Sequence, residues 1–186
     1  MTDVVRLSTP SRTQDGYTPA ARVLHWTMAA LIPVAFILGL TVDVPPRAYE
    51  NAMVQAHMLV GLTLALLLVV RIVSRLSNGV PAPEPGSGRL AARLAGSTHL
   101  VLYLLLIILP LTGLFVTFYR GRPIELGLFT VFSPLETNRA LSKSIRSFHK
   151  YFAFALIGLA VLHAGAAFWH HKALRDGTLR RMWPSR

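Results

Sequence analysis

Residues 147–167 read SFHKYFAFALIGLAVLHAGAA, a segment apolar enough to lie in a bilayer yet carrying two histidines, His149 and His163. Fourteen residues advance an α-helix by about 21 Å and turn it through roughly 1400°, only about 40° short of four full turns. The two rings therefore share one stripe, one near each end of the helix. Ionisable groups inside a membrane are costly and normally face a cavity or a partner rather than lipid. Two titratable rings on one stripe of an apolar helix thus demand a partner at each end.

The rest of the chain makes the bilayer reading general. Of its 186 residues 53% are hydrophobic and only 15% charged, and the mean hydropathy is +0.49; that composition belongs to the membrane class. Four uncharged runs stand out, Val23–Val42, Asn51–Val70, Leu94–Tyr119 and Tyr151–Trp169. Each has close to the roughly 20 residues that cross about 30 Å of hydrocarbon as a helix. Strands with open edges cannot satisfy their backbone in lipid. The breaks are TVDVPPRAYE, the Pro/Gly-rich NGVPAPEPGSG, and a longer polar-spotted connection after Tyr119. The expected fold is all-α, an integral membrane four-helix bundle with spans near 20–43, 50–76, 90–119 and 144–172, forming one domain over residues 1–186. The first run is too long for a signal-peptide apolar region and lacks a small-residue cleavage site, so it reads as a span.

Basic residues set the expected orientation. Twelve of the 19 Lys and Arg lie in the N-terminal stretch, the loop between spans two and three, and the tail; seven lie on the other side. The positive-inside rule places both termini in the cytoplasm. Most of the +11 net charge flanks spans and can meet anionic lipid headgroups, which argues against nucleic acid. Six basic residues from Arg120 to Lys150, set against only Glu125 and Glu136, fall on the outer side. They are read either as tolerated loop charge or as a positive field that gathers a small anion.

The chain has no cysteine, so disulfides, zinc–thiolate sites, iron–sulfur clusters and thioether-attached haem are excluded. Neutral imidazole remains a strong iron ligand, and haem iron accepts two axial nitrogens. His149 and His163 then suit two haems, one at each membrane face. By depth His57, near the outer start of span two, faces His149. At the inner face His25 and His99 both lie within reach of His163, and spacing alone does not choose between them. A single histidine in a membrane helix often serves only a helix–helix hydrogen bond; four at paired depths argue for ligation.

The stretches RVLHWTMAALIPVAF, VQAHMLVGLTLALLLVVRIVSRL, THLVLYLLLIILPLTGL, YRGRP, SFHKYFAFALIGLAVLHAGAAFWHHK and DGTLRRMWP, in that order, resemble the bacterial cytochrome b561 family over nearly the whole chain after about residue 17. The resemblance implies a four-helix bundle holding two b-type haems. It makes His25 and His163 the ligands of the inner haem, and His57 and His149 those of the outer one. Gly61, Gly158 and Gly165 could give a flat porphyrin close backbone approach, or simply serve helix packing.

With both axial positions filled by histidine, iron keeps no open site, so electron transfer is the expected role. The resemblance further implies exchange with ubiquinone and, in the superoxide oxidase branch, oxidation of superoxide at the outer face. His170, seven residues past His163, falls with His171 and His99 at a depth suited to a quinone headgroup or proton delivery. The alternative is that WHHK is an interfacial anchor. Arg71 and Arg75 share a face at the inner end of span two, where they can pair with propionates or mark the membrane edge. Two rival readings are a haem b relay subunit of a hydrogenase or formate dehydrogenase, and a helical membrane protein without haem.

Overall fold

A computed structural model describes residues 16–44, 46–82, 88–126 and 129–183. Four long helices dominate it: α1 (Pro19–Thr41), α2 (Arg47–Asn78), α3 (Arg89–Arg120) and α4 (Arg139–Trp169). All 4 are long and apolar enough to cross a membrane. The expected all-α four-helix membrane architecture is therefore found, with helices that continue past the uncharged runs into their charged flanks. The extension is largest at α4, which begins at Arg139, before the expected span edge at 144. Lipid limits charge in the middle of a helix, not at its ends, so charge marks the membrane boundary rather than the helix boundary.

Local chemistry sets the ends. Thr18 accepts a hydrogen bond from the Ala21 N–H at 3.2 Å, with Pro19 in the first turn. Asn138 caps α4 by accepting from the Leu141 N–H at 3.0 Å. These side chains satisfy donors that the first turn leaves without partners. Gly121 closes α3 in the left-handed region, with φ of 67°.

α1 packs chiefly on α2 and α3 on α4, and α2–α3 and α1–α4 contacts close the bundle. Met28, Leu64 and Leu68 form a buried cluster, whereas apolar side chains such as Leu66 and Val161 face outward, 66% and 64% exposed. An apolar exterior around a narrow interior suits a protein solvated by lipid. Between α3 and α4 a short antiparallel hairpin, β1 (Ile124–Glu125) and β2 (Thr130–Val131), lies at one end of the bundle. Gln55 of α2 holds it by donating to the Pro123 carbonyl and accepting from the Glu125 N–H. Ion pairs Arg122–Glu50 (3.3 Å) and Arg146–Asp43 (2.6 Å) tie the helices at the same hairpin end.

The opposite end carries the first and last described residues. There the Trp26 indole N–H donates to the Met182 carbonyl at 2.8 Å, its ring meets Trp183 edge-on, and the Tyr17 N–H reaches the Arg181 carbonyl at 3.4 Å. Residues 176–183 are thus a strap fastened to the start of α1.

Gly121→Ala tests the α3 terminus. A left-handed backbone costs an L-residue about 1–2 kcal/mol, and an added Cβ would stand 2.6 Å from Thr137 Oγ1. A lower thermal midpoint in detergent is the expected outcome.

Candidate cofactor site

Five histidines line the inside of the bundle. His57 lies ten residues after the start of α2 and His149 ten after the start of α4, both at the hairpin end. His25 lies six residues after the start of α1, and His163 six before the end of α4. Depths counted from helix ends therefore match in both pairs, although the uncharged-run edges set His25 and His163 apart.

The ring geometry follows from these depths. His57 and His149 have centroids 6.0 Å apart and planes at 79°; His25 and His163 stand at 6.4 Å and 82°. A metal–imidazole bond of about 2 Å plus roughly 1 Å from nitrogen to ring centre puts collinear axial rings about 6 Å apart. Both pairs stand close to that separation. His99 lies 5.2 Å from His163 with planes at 66°, tighter than that spacing. Among the described residues no set of three or more His, Asp or Glu side chains converges as a bare metal ion would need. Each pair thus offers at most two protein ligands, fewer than a bare ion needs.

Surrounding groups orient the rings. His57 Nδ1 lies 2.9 Å from the Ala35 carbonyl, and His149 Nδ1 lies 3.0 Å from Thr112 Oγ1. Each contact leaves Nε2 free, the usual arrangement for a ligating histidine. The pair borders a cavity of about 780 Å³, mouth included, whose wall contains Gly61, Gly113 and Pro110. At Gly39 an added Cβ would meet His57 Cε1 at 2.9 Å, and at Gly113 it would meet His149 Cε1 at 3.3 Å. Gly61 lines the cavity with no protein atom close to where its Cβ would be, as clearance for a flat ligand requires. Gly158 and Gly165 are exposed on α4 with open space around them, so they do not shape the site. Gly39 and Gly113 escape a reading of single segments, since their role lies in facing a ring on a neighbouring helix.

At the other pair His25 Nδ1 faces Arg71 Nη2 at 3.5 Å. Arg71 is fixed by donating through Nε to the Tyr103 hydroxyl at 3.1 Å and through Nη1 to the Ala21 carbonyl at 3.2 Å. Arg75 lies over the Tyr103 ring, 5.7 Å from its centre.

A family model described as prokaryotic cytochrome b561 matches residues 16–185. The chain belongs to the prokaryotic cytochrome b561 family. It is 30% identical over 164 residues to a protein named probable superoxide oxidase CybB from Yersinia pestis, covering 88% of this chain and 93% of that one. It is 30% identical to cytochrome b561 homolog 2 of Escherichia coli (strain K12), covering 92% and 93%. A cytochrome b562 from Cereibacter sphaeroides is 31% identical, covering 91% and 96%. This cytochrome b561 is accordingly a multi-pass bacterial membrane protein of electron transfer, from a family that binds haem b. The facing imidazoles, the glycine clearances and the apolar cavity fit such a group.

His99 and His170, the residues expected at a quinone, have different immediate partners. His99 lies against His163, whereas His170 opens a π-helical turn (His170–Leu174) and its Nδ1 meets Asp176 Oδ2 at 2.5 Å. No hydrogen bond or ring contact among the described residues joins His99 to His170 or His171. Partial burial draws the Asp176 carboxyl upward, but hydrogen bonds from His170 and Thr178 outweigh it and hold it below the ordinary carboxylate value. Asp176 is a functional candidate that sequence spacing does not offer, because a left-handed turn at Arg175 brings it back to His170.

Gly39→Leu should displace His57 and lower the haem bound per chain. Gly96→Ala, at an exposed position with open space around it, should leave it unchanged. The pyridine haemochrome ratio checks both.

Proposed function

We propose that the chain holds two haem b groups, one between His57 and His149 and one between His25 and His163, and transfers electrons from superoxide at the hairpin face to ubiquinone at the face carrying the termini. The hairpin face would be periplasmic, and the other the cytoplasmic side of the inner membrane. The observation that carries this reading is the two imidazole pairs with ring centroids 6.0 and 6.4 Å apart, one near each end of the bundle. Haem iron between two imidazoles supplies reversible one-electron chemistry with no open coordination position.

The protein's own residues supply the rest. Of the basic groups at the hairpin end, Arg122 and Arg146 are paired with Glu50 and Asp43, whereas Arg139, Lys143 and Lys150 have no acidic partner among the described residues. Their field favours approach of an anion such as superoxide. The relative named a probable superoxide oxidase supports this choice of donor. Two superoxide ions yield two dioxygen molecules, and one ubiquinone takes up two electrons and two protons.

Those protons need a route at the opposite end. Asp176 Oδ2 holds His170 through Nδ1, which leaves Nε2 to deliver a proton to a quinone oxygen and recover one from solvent. His99, beside His163, is the second proton-bearing group at that end.

Purified protein given enzymatically generated superoxide and a water-soluble quinone should show haem reduction faster than a control cytochrome. An equal rate would remove superoxide as donor. In the same assay His170→Ala should slow quinone reduction by about tenfold or more with haem content unchanged; unaltered quinone kinetics would return His170 to the role of interfacial anchor.

His163→Ala should abolish one haem and spare the other, measured as haem per chain. Retention of both would contradict the pairing.

A further inference from the structure

The two imidazole pairs differ in what surrounds them. At the hairpin end both Nδ1 atoms face acceptors. His57 Nδ1–H donates to the Ala35 carbonyl at 2.9 Å. Thr112 Oγ1 lies 2.9 Å from the carbonyls of both Ile108 and Leu109, so its hydrogen is directed to them and its lone pair receives His149 Nδ1–H at 3.0 Å. Donation from Nδ1 pushes electron density onto the ring, strengthens it as a ligand and favours the more positive, ferric state.

At the other end His25 Nδ1 faces Arg71 Nη2 at 3.5 Å. A guanidinium has no acceptor atom and keeps its charge at any accessible pH, so with Nε2 on iron the His25 Nδ1–H finds no acceptor there and Arg71 acts on the ring through its charge alone. Arg71 cannot swing away without losing its bonds to the Tyr103 hydroxyl and the Ala21 carbonyl. No carboxylate among the described residues pairs with it, and Arg75 over the Tyr103 ring adds a second positive charge nearby. His163 has no hydrogen-bonding partner among the described residues that would enrich its ring. In a medium of low dielectric, a fixed positive charge against a ligand favours the less positive, ferrous state.

We propose that Arg71 is a positioning and tuning residue that makes the His25/His163 centre the higher-potential one, so that the protein itself biases electrons toward the end carrying the termini. The proposal rests on the two-centre reading above and adds a direction to it. Tyr103 belongs to the same device, because its hydroxyl holds the guanidinium in place.

The test is a spectroelectrochemical titration of the full-length protein in lipid nanodiscs, with haem per chain and low-spin EPR signals measured on the same samples. Two separate one-electron waves are expected for the unaltered chain. Arg71→Gln should lower the upper wave by at least a tenfold change in its reduction equilibrium, about 59 mV for one electron, and leave the lower wave in place. Arg71→Lys should retain most of the separation. Thr112→Val removes one acceptor of His149 at the far end, leaving the Leu109 carbonyl, and should raise the lower wave, which assigns that wave even if Arg71→Gln loses haem. A single wave from a two-haem protein, an unmoved upper wave in Arg71→Gln, or a shift of the upper wave in Thr112→Val would each overturn the tuning role. Fewer than two haems per chain, or no bis-histidine EPR signal, would instead overturn the two-centre reading.

Discussion

Helix α4 places two imidazoles on one stripe fourteen residues apart, and the rest of the structure answers that constraint. Each ring needs a counterpart at its own depth on a helix that packs across the bundle interior. His57 on α2 and His25 on α1 meet the condition, at centroid separations that differ by 0.4 Å. A one-residue slip of either helix would move its ring by about 1.5 Å along the axis and turn it by about 100°. The spacing therefore survives only if the relative depths of the helices are held to a fraction of a turn.

In a bilayer that precision cannot come from the hydrophobic effect, since lipid tails solvate apolar side chains as well as other helices do. The two ends of the bundle carry the locks. At the hairpin end they are ionic, Arg122 to Glu50 and Arg146 to Asp43, with the Gln55 amide holding the hairpin against α2. At the other end they are hydrogen bonds to backbone, from Trp26 and Arg22 to the carbonyls of Met182 and Trp183. Between them Met28, Leu64 and Leu68 give α1 and α2 a packed seam. The strap thus bears on the imidazole next to its anchor: Trp26, adjacent to His25, is held by the Met182 carbonyl.

The fold was legible in the sequence because apolar length is a property of single segments. The four spans follow from runs of uncharged residues, and the histidine stripe follows from helical period alone. Legibility stops where an assignment depends on the register between segments. His25 and His99 could not be separated by counting from uncharged runs; they differ in ring spacing to His163, 6.4 against 5.2 Å. Gly39, Gly113 and Thr112 were silent for the same reason, each acting on a ring contributed by another helix. The β1–β2 hairpin was unreadable because two-residue strands carry no period. Asp176 was missed because a π-helical turn and a left-handed residue break the 3.6-residue count that places His170.

The distribution of charge gives the scaffold a polarity that its near-symmetric histidine pairs lack. The hairpin end keeps its acids close to its arginines, so its remaining lysines and Arg139 act outward on solutes. At the opposite end Arg71 turns inward onto a ring nitrogen, while Asp176 is committed to His170. Outward cations raise the local concentration of an anion and do little to a buried centre, because solvent screens them within about 10 Å. An inward cation in low dielectric does the reverse. In the proposed scheme the same residue type serves capture at one face and bias at the other, and burial, rather than sequence, decides which.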